Sequence, residues 1–217
     1  MGLGQANLSP KSIYNQLSPV TLDEMRRFVI MIHTGLIPKP RLTDYWSLDP
    51  ALHTSFCAKV MPKDRFRAIL SFFHIVNNEN FIPCGEEGHD PVHKIRLFID
   101  HLNICFKEMY VPRKKICIDE AMCFFKGRSR FKIYKKDKPT KWGFKFYELC
   151  ESKRAYVYNF EMFCADKRLS NKPTDVTLQL MDPLLNNGYQ LYIDNYYCCL
   201  ELAQQLVQRK TMLCGTV

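Results

Sequence analysis

Apolar positions in the first half of the chain recur at the three-and-four spacing of amphipathic helices. Leu22, Met25, Val29 and Ile32 follow a capping box at residues 21–24 (TLDE) and run to Gly35, with Pro38 and Pro40 beyond. Phe66, Ile69, Leu70 and Phe73 predict the buried face of a second helix, opening near Pro62 and ended by Asn77 and Asn78. Ile95, Phe98, Ile99, Leu102, Phe106 and Met109 predict a third and longer helix over 92–110, closed by Pro112. Between them lie a connector at 41–50, with Tyr45 and Trp46 to pack down, and a loop at 81–91 holding Pro83, Gly85 and Gly88. Residues 1–18 are polar and mixed, a loose lead-in.

The period changes at Lys115. Residues 116–124, 144–150 and 155–164 read as strands, the last two joined as antiparallel neighbours by the polar turn at 151–154. A helix follows from Pro173, carrying Val176, Leu180 and Leu184, kinked by Pro183 and stopped at residues 186–188 (NNG). Residues 191–196 read as strand, 200–209 as helix and 211–217 as strand. The expected fold is therefore a helical part over 1–112 followed, over 113–217, by a mixed sheet ordered β-β-β-α-β-α-β. A helical crossover after three strands commonly lays the next strand parallel to the first, on its free side. The last strand is expected beside that one, at or near the sheet's edge.

At 217 residues and 47% hydrophobic content, the chain can bury a core in one domain or two. No apolar run approaches a membrane span, and the N-terminus lacks the basic-then-apolar pattern of a secretory signal. The ten cysteines form no C-x-x-C pair and all six histidines lie at or before His101, so no zinc spacing is present. Most of the cysteines sit in apolar runs, where a free thiol acts as a small hydrophobe.

Charge changes the picture more. The chain carries a net +9, and residues 113–145 alone hold twelve Lys or Arg against Asp119, Glu120 and Asp137. All the asymmetry lies in one stretch, with Phe131, Tyr134 and Trp142 set among the charges. A carboxylate inside an apolar strand is costly unless something compensates it. Asp119 is such an acid, and Asp194 is another in the run 191–197, 75 residues on. Alone, either is an ordinary strand-end acid. As a pair beside a basic loop, they point to a divalent-metal site acting on a polyanion. Glu120, one residue from Asp119, faces the other side of a regular strand and suits a solvated or salt-bridged role. Core packing is expected for Trp142 and Phe144, and phosphate contact for the basic residues.

The motifs resemble a known family. Residues 118–120 (IDE), 125–128 (FKGR), 138–145 (KPTKWGFK), 191–195 (LYIDN) and 214–217 (CGTV) are similar to the piggyBac-type DDE transposases and their domesticated relatives. Residues 42–46 (LTDYW), 61–66 (MPKDRF) and 94–96 (KIR) resemble the helical domain that precedes the catalytic core there. The resemblance implies a ribonuclease-H-like core over 113–217, incomplete at its C-terminal end, behind a helical dimerisation and DNA-binding domain over 1–112. It implies Asp119 and Asp194 as catalytic, metal-binding aspartates holding Mg²⁺ or Mn²⁺. The reaction would be DNA cleavage and strand transfer, with insertion at TTAA sites. Lys126, Arg128, Arg130, Lys132, Lys135, Lys136, Lys138, Lys141 and Lys145 would contact double-stranded DNA. A homodimer acting in the nucleus is implied. The family's third aspartate and its cysteine-rich zinc domain have no match here. Asp166, Asp175, Asp182 and Glu201 do not stand in its context, so the chain is expected to be inactive, or a domesticated DNA-binding protein.

Overall fold

The structure, a computed structural model, describes residues 18–33, 38–164 and 172–216. The lead-in up to residue 17, the Gly35 helix stop, Asp166 and Val217 lie outside the described residues. The chain divides into two compact units, residues 1–74 and 75–217.

In the first unit, α1 (Leu22–His33) opens with the expected capping box: Glu24 N donates to Thr21 Oγ1 and Thr21 N to Glu24 Oε2, both at 3.2 Å. A 3₁₀ turn (Leu42–Trp46), α2 (Ser55–Val60) and α3 (Lys63–Phe72) follow. Phe28, Met31, Cys57, Met61, Phe66 and Ile69 form the core. The buried face of α1 differs from the spacing-based reading. Leu22, Val29 and Ile32 are exposed, and Phe28 is fully buried. Apolar side chains surround most of this helix, so spacing alone selects no face; Phe28 takes the interior because its ring meets Phe66 at 5.1 Å and Phe73 at 5.2 Å. Glu24, having capped α1, also takes Arg65 Nε at 2.8 Å and Nη2 at 2.9 Å, tying α3 to the start of α1. At six residues, α2 is too short for periodicity to reveal.

The second unit is built on one six-stranded sheet. Its strands are β1 (Lys115–Phe124), β2 (Ile133–Tyr134), β3 (Trp142–Glu151), β4 (Tyr156–Met162), β5 (Gln190–Ile193) and β6 (Met212–Gly215). β3 pairs antiparallel with β1 on one side, and with both β2 and β4 on the other. β5 lies parallel to β1 on its free side, and β6 lies parallel to β5 at the edge. The expected order holds except for β2, a two-residue strand inside the basic stretch. Gly143 makes this corner possible, because a Cβ there would strike the Cys123 carbonyl.

Strand alternation divides the sheet into two faces. Ile118, Tyr147 and Leu149 face α5 (Pro173–Met181) and α6 (Leu200–Gln208), packing with Leu180, Met181, Leu202 and Leu206 in the main core. Each such fully buried aliphatic side chain contributes roughly 1.5–3 kcal/mol. Phe144 and Phe146 face the other way, toward α4 (His93–Met109), packing with Ile95, Ile99 and Met162. The sequence grouped this helix with residues 1–112, but it packs on the sheet. Asn103 decides it: its amide donates to the Phe160 carbonyl and accepts from the Phe160 N–H, both at 2.9 Å, satisfying the outer edge of β4. Phe98 and Met109, expected inward on α4, are exposed. α5 stops at Met181 rather than kinking, and Pro183 sits in a 3₁₀ turn, Asp182–Leu184.

Candidate metal and nucleic-acid site

The β1–β5 ladder pairs Lys115 with Gln190, Ile116 with Leu191 and Cys117 with Tyr192. Each pair is offset by 75, so continuing the register two residues sets Asp194, just past the C-terminal end of β5, level with Asp119, midway along the parallel neighbour β1. Ligands of open α/β sheets gather at such ends. Both aspartates are exposed, and each is steadied by nearby backbone. Asp119 Oδ1 accepts from Glu120 N at 2.7 Å, and Asp194 Oδ1 from Tyr196 N at 3.1 Å. On the other side of β1, Asp119 stands directly opposite Glu148 of β3. Burial raises the Glu148 carboxyl above its ordinary range, and the Asp119 charge adds to the effect. Among the described residues no group of three His, Cys, Asp or Glu is arranged to hold a metal ion.

Glu120 turns to the opposite face and meets Lys145, whose Nζ donates to Oε1 at 3.1 Å. The glutamate side chain is 13% exposed and the lysine 5%. The Lys145 ammonium also lies over the rings of Tyr147, Phe163 and Tyr196, at 4.3, 5.4 and 5.5 Å from their centroids. Burial works to raise the Glu120 carboxyl, but the Lys145 hydrogen bond and charge outweigh it and hold the carboxyl below its ordinary range. Tyr197 is buried against the same carboxylate, and its phenol is raised by burial first and then by the Glu120 charge.

The basic residues fall into three groups. Lys126, Arg128, Arg130, Lys135, Lys136 and Lys141 are exposed. Lys132 and Lys138 are half-buried: Lys132 Nζ donates to the Gly127 carbonyl at 2.9 Å and lies over Trp142, while Lys138 bends back onto Asp119 and Glu120. Lys145 is interior, which removes it from the set expected to meet phosphate: its charge is already matched inside the fold. Trp142 is also corrected. It is half-exposed and pairs with Tyr134 at 4.8 Å across the short β2–β3 ladder. Phe144 packs inward against Phe125 at 4.8 Å. Burial pushes the Cys150 thiol, opposite Cys117 in the ladder, up to about 12, so it is an unreactive packing group at neutral pH.

A family model described as Transposase IS4 matches residues 3–217. The chain belongs to that transposase family, on its piggyBac-derived side. It is 25% identical over 197 residues to PiggyBac transposable element-derived protein 2 of Homo sapiens, a match covering 87% of this chain and 32% of the relative. It is 30% identical over 131 residues to PiggyBac transposable element-derived protein 3 of Homo sapiens, covering 59% of this chain and 21% of the relative. The chain thus spans about a third or less of these relatives' lengths. The fold matches the piggyBac transposase solved by cryo-EM in a synaptic complex with hairpin DNA. That match has a TM-score of 0.79 and 22% identity, over 99% of this chain and 45% of that one. In this transposase-family fold Glu120 has the salt-bridged role expected of it, while Glu148 and the Lys145 and Tyr197 partners of Glu120 are what sequence reasoning missed. A signal existed for Lys145: it is in phase with Tyr147 and Leu149, the buried side of β3.

Proposed function

We propose that residues 113–217 form the ribonuclease-H-like part of a metal-dependent, DNA-acting phosphoryl-transfer site, with Asp119 and Asp194 as its first two acids. The observation that carries this reading is the shared register of the two aspartates, two residues past the last pair of the parallel β1–β5 ladder. The donor set fits Mg²⁺ or Mn²⁺, which take one or two carboxylates and fill their remaining positions with water and substrate phosphate. When bound, such a cation supplies activation of water or a 3′-hydroxyl and neutralises charge at the phosphorus. The protein's own part is to hold the DNA. Lys126, Arg128, Arg130, Lys135, Lys136 and Lys141 engage phosphates, which positions the duplex without reading its sequence. The exposed Tyr134–Trp142 pair among them offers a stacking surface. On this reading the helical part serves dimerisation and DNA holding, and the protein works in the nucleus on double-stranded DNA. Cut-and-paste transposition at TTAA sites is the corresponding whole-protein activity.

The test is calorimetric titration of the chain with Mn²⁺. Asp119→Asn and Asp194→Asn should each weaken binding by at least about tenfold. Wild-type affinity in both variants overturns the reading.

A further inference from the structure

Lys138 differs from its basic neighbours in where its charge goes. Its ammonium donates to the Glu120 carbonyl at 3.3 Å, and lies 3.8 Å from Asp119 Oδ1 and 3.9 Å from Glu120 Oε2. The pairing of β1 with β5 ends at Cys117, so the lysine reaches the stretch of β1 just past that ladder, level with Asp194 by register. Lys126 and Arg130 instead lie over the rings of Phe124 and Phe131.

Charge balance shows why this matters. Asp119, Asp194 and Glu120 contribute three negative charges, and Lys138 and Lys145 two positive ones. The Lys145 charge is confined, since its side chain is 5% exposed and bonded to Glu120. The Lys138 side chain is 36% exposed and held by longer contacts, so it is the one that can leave. A dication at Asp119 would leave this site with surplus positive charge, and an ammonium about 4 Å away would be repelled. Lysine suits such a move, being a point charge on a flexible stem rather than a planar fork locked onto a carboxylate.

We propose that Lys138 is the resident counter-ion of Asp119, displaced when a divalent cation binds and thereby released to neutralise a phosphate of the DNA. This rests on the metal-binding reading of Asp119 and Asp194. It adds a coupling: the site withholds one phosphate-binding charge until the cation is in place.

Mn²⁺ titration of the 217-residue chain tests it. Lys138→Met keeps the length of the stem and removes the competing charge, so Mn²⁺ affinity should rise by about five- to tenfold. Lys138→Arg keeps the charge and should stay within about twofold of wild type. Lys138 is partly exposed, so both variants should fold, and circular dichroism with thermal melting verifies this. In the second arm, fluorescence anisotropy follows a labelled DNA duplex at constant ionic strength. Saturating Mn²⁺ should strengthen wild-type DNA binding by about fivefold more than it strengthens binding by Lys138→Met. Unchanged or weaker Mn²⁺ affinity in Lys138→Met overturns the inference and leaves the acid pair standing, as does equal Mn²⁺ enhancement of DNA binding in both proteins. If Asp119→Asn leaves Mn²⁺ affinity untouched, the acid pair itself is wrong and the inference falls with it.

Discussion

Asp119 and Glu120 are consecutive acids, and the sheet sends them to different environments. On one face, Asp119 stays in solvent with its carboxylate 68% exposed, and Lys138 is its loose partner. On the other, Glu120 is nearly buried, locked to Lys145 and packed beside Tyr197. The residue types and charges are nearly identical, but the energetics are not. An exposed pair at 3.8 Å contributes little to stability, because water screens it and both side chains must be ordered to form it. A buried pair is different, since removing one partner strands the other's charge away from water. The outer acids are therefore free to serve a ligand, and the inner pair serves the fold. The inner pair also links the two segments that carry the outer acids: Glu120 adjoins Asp119, and Tyr196 and Tyr197 follow Asp194.

The largest effect should come from Lys145→Met. It leaves Glu120 buried and unpaired, at an expected cost of about 3–5 kcal/mol in urea unfolding. Asp119→Asn should stay within about 0.5 kcal/mol. Similar costs for the two substitutions would erase the distinction between the faces.

A smaller effect should appear with pH. The Glu120 carboxyl lies below its ordinary value of 4.5 in the folded chain. Its stabilising contribution is therefore complete above about pH 4.5 and is lost as pH falls through the lower folded value. Urea midpoints measured from about pH 6 to about pH 3 should decline in wild type. The double variant Glu120→Met with Lys145→Met should lack this part of the decline. An identical decline in both would mean that the inner pair is not what acid breaks.

The smallest effect on stability belongs to Lys126, Arg128 and Arg130. Changing each to Glu should move stability by less than about 0.5 kcal/mol per site. The salt dependence of DNA binding should nonetheless flatten by about 0.9 on a log–log plot for each phosphate that is no longer neutralised. An unchanged slope with all three reversed would place the DNA surface elsewhere.

Much of this architecture was legible in one dimension. Alternation and turn residues marked β1, β3 and β4; the crossover helices implied β5 parallel to β1 and β6 beside it, and both pairings are present. The separation of Asp119 and Asp194 by 75 residues can be counted in the sequence, but its match to the β1–β5 register is set by the pairing of the strands. The capping box at Thr21 and Glu24 is local and was readable for that reason. β2 and α2 were not, because neither is long enough to express a period.

What the sequence by itself determined is thus what depends on neighbours in the chain: where strands and helices start and stop, which acids interrupt apolar runs, and where the positive charge is concentrated. Tertiary structure decided which of those charges reach solvent. Lys145 and Lys141 stand four residues apart in one basic run, yet one is interior and the other exposed, because Lys141 precedes β3 while Lys145 falls on the strand face that packs into the core with Tyr147 and Leu149. It also decided that α4 belongs to the sheet, through the two hydrogen bonds of Asn103 to an edge strand 57 residues away. Burial is a property of what comes to lie on top of a residue, and the covering elements here are distant in the chain.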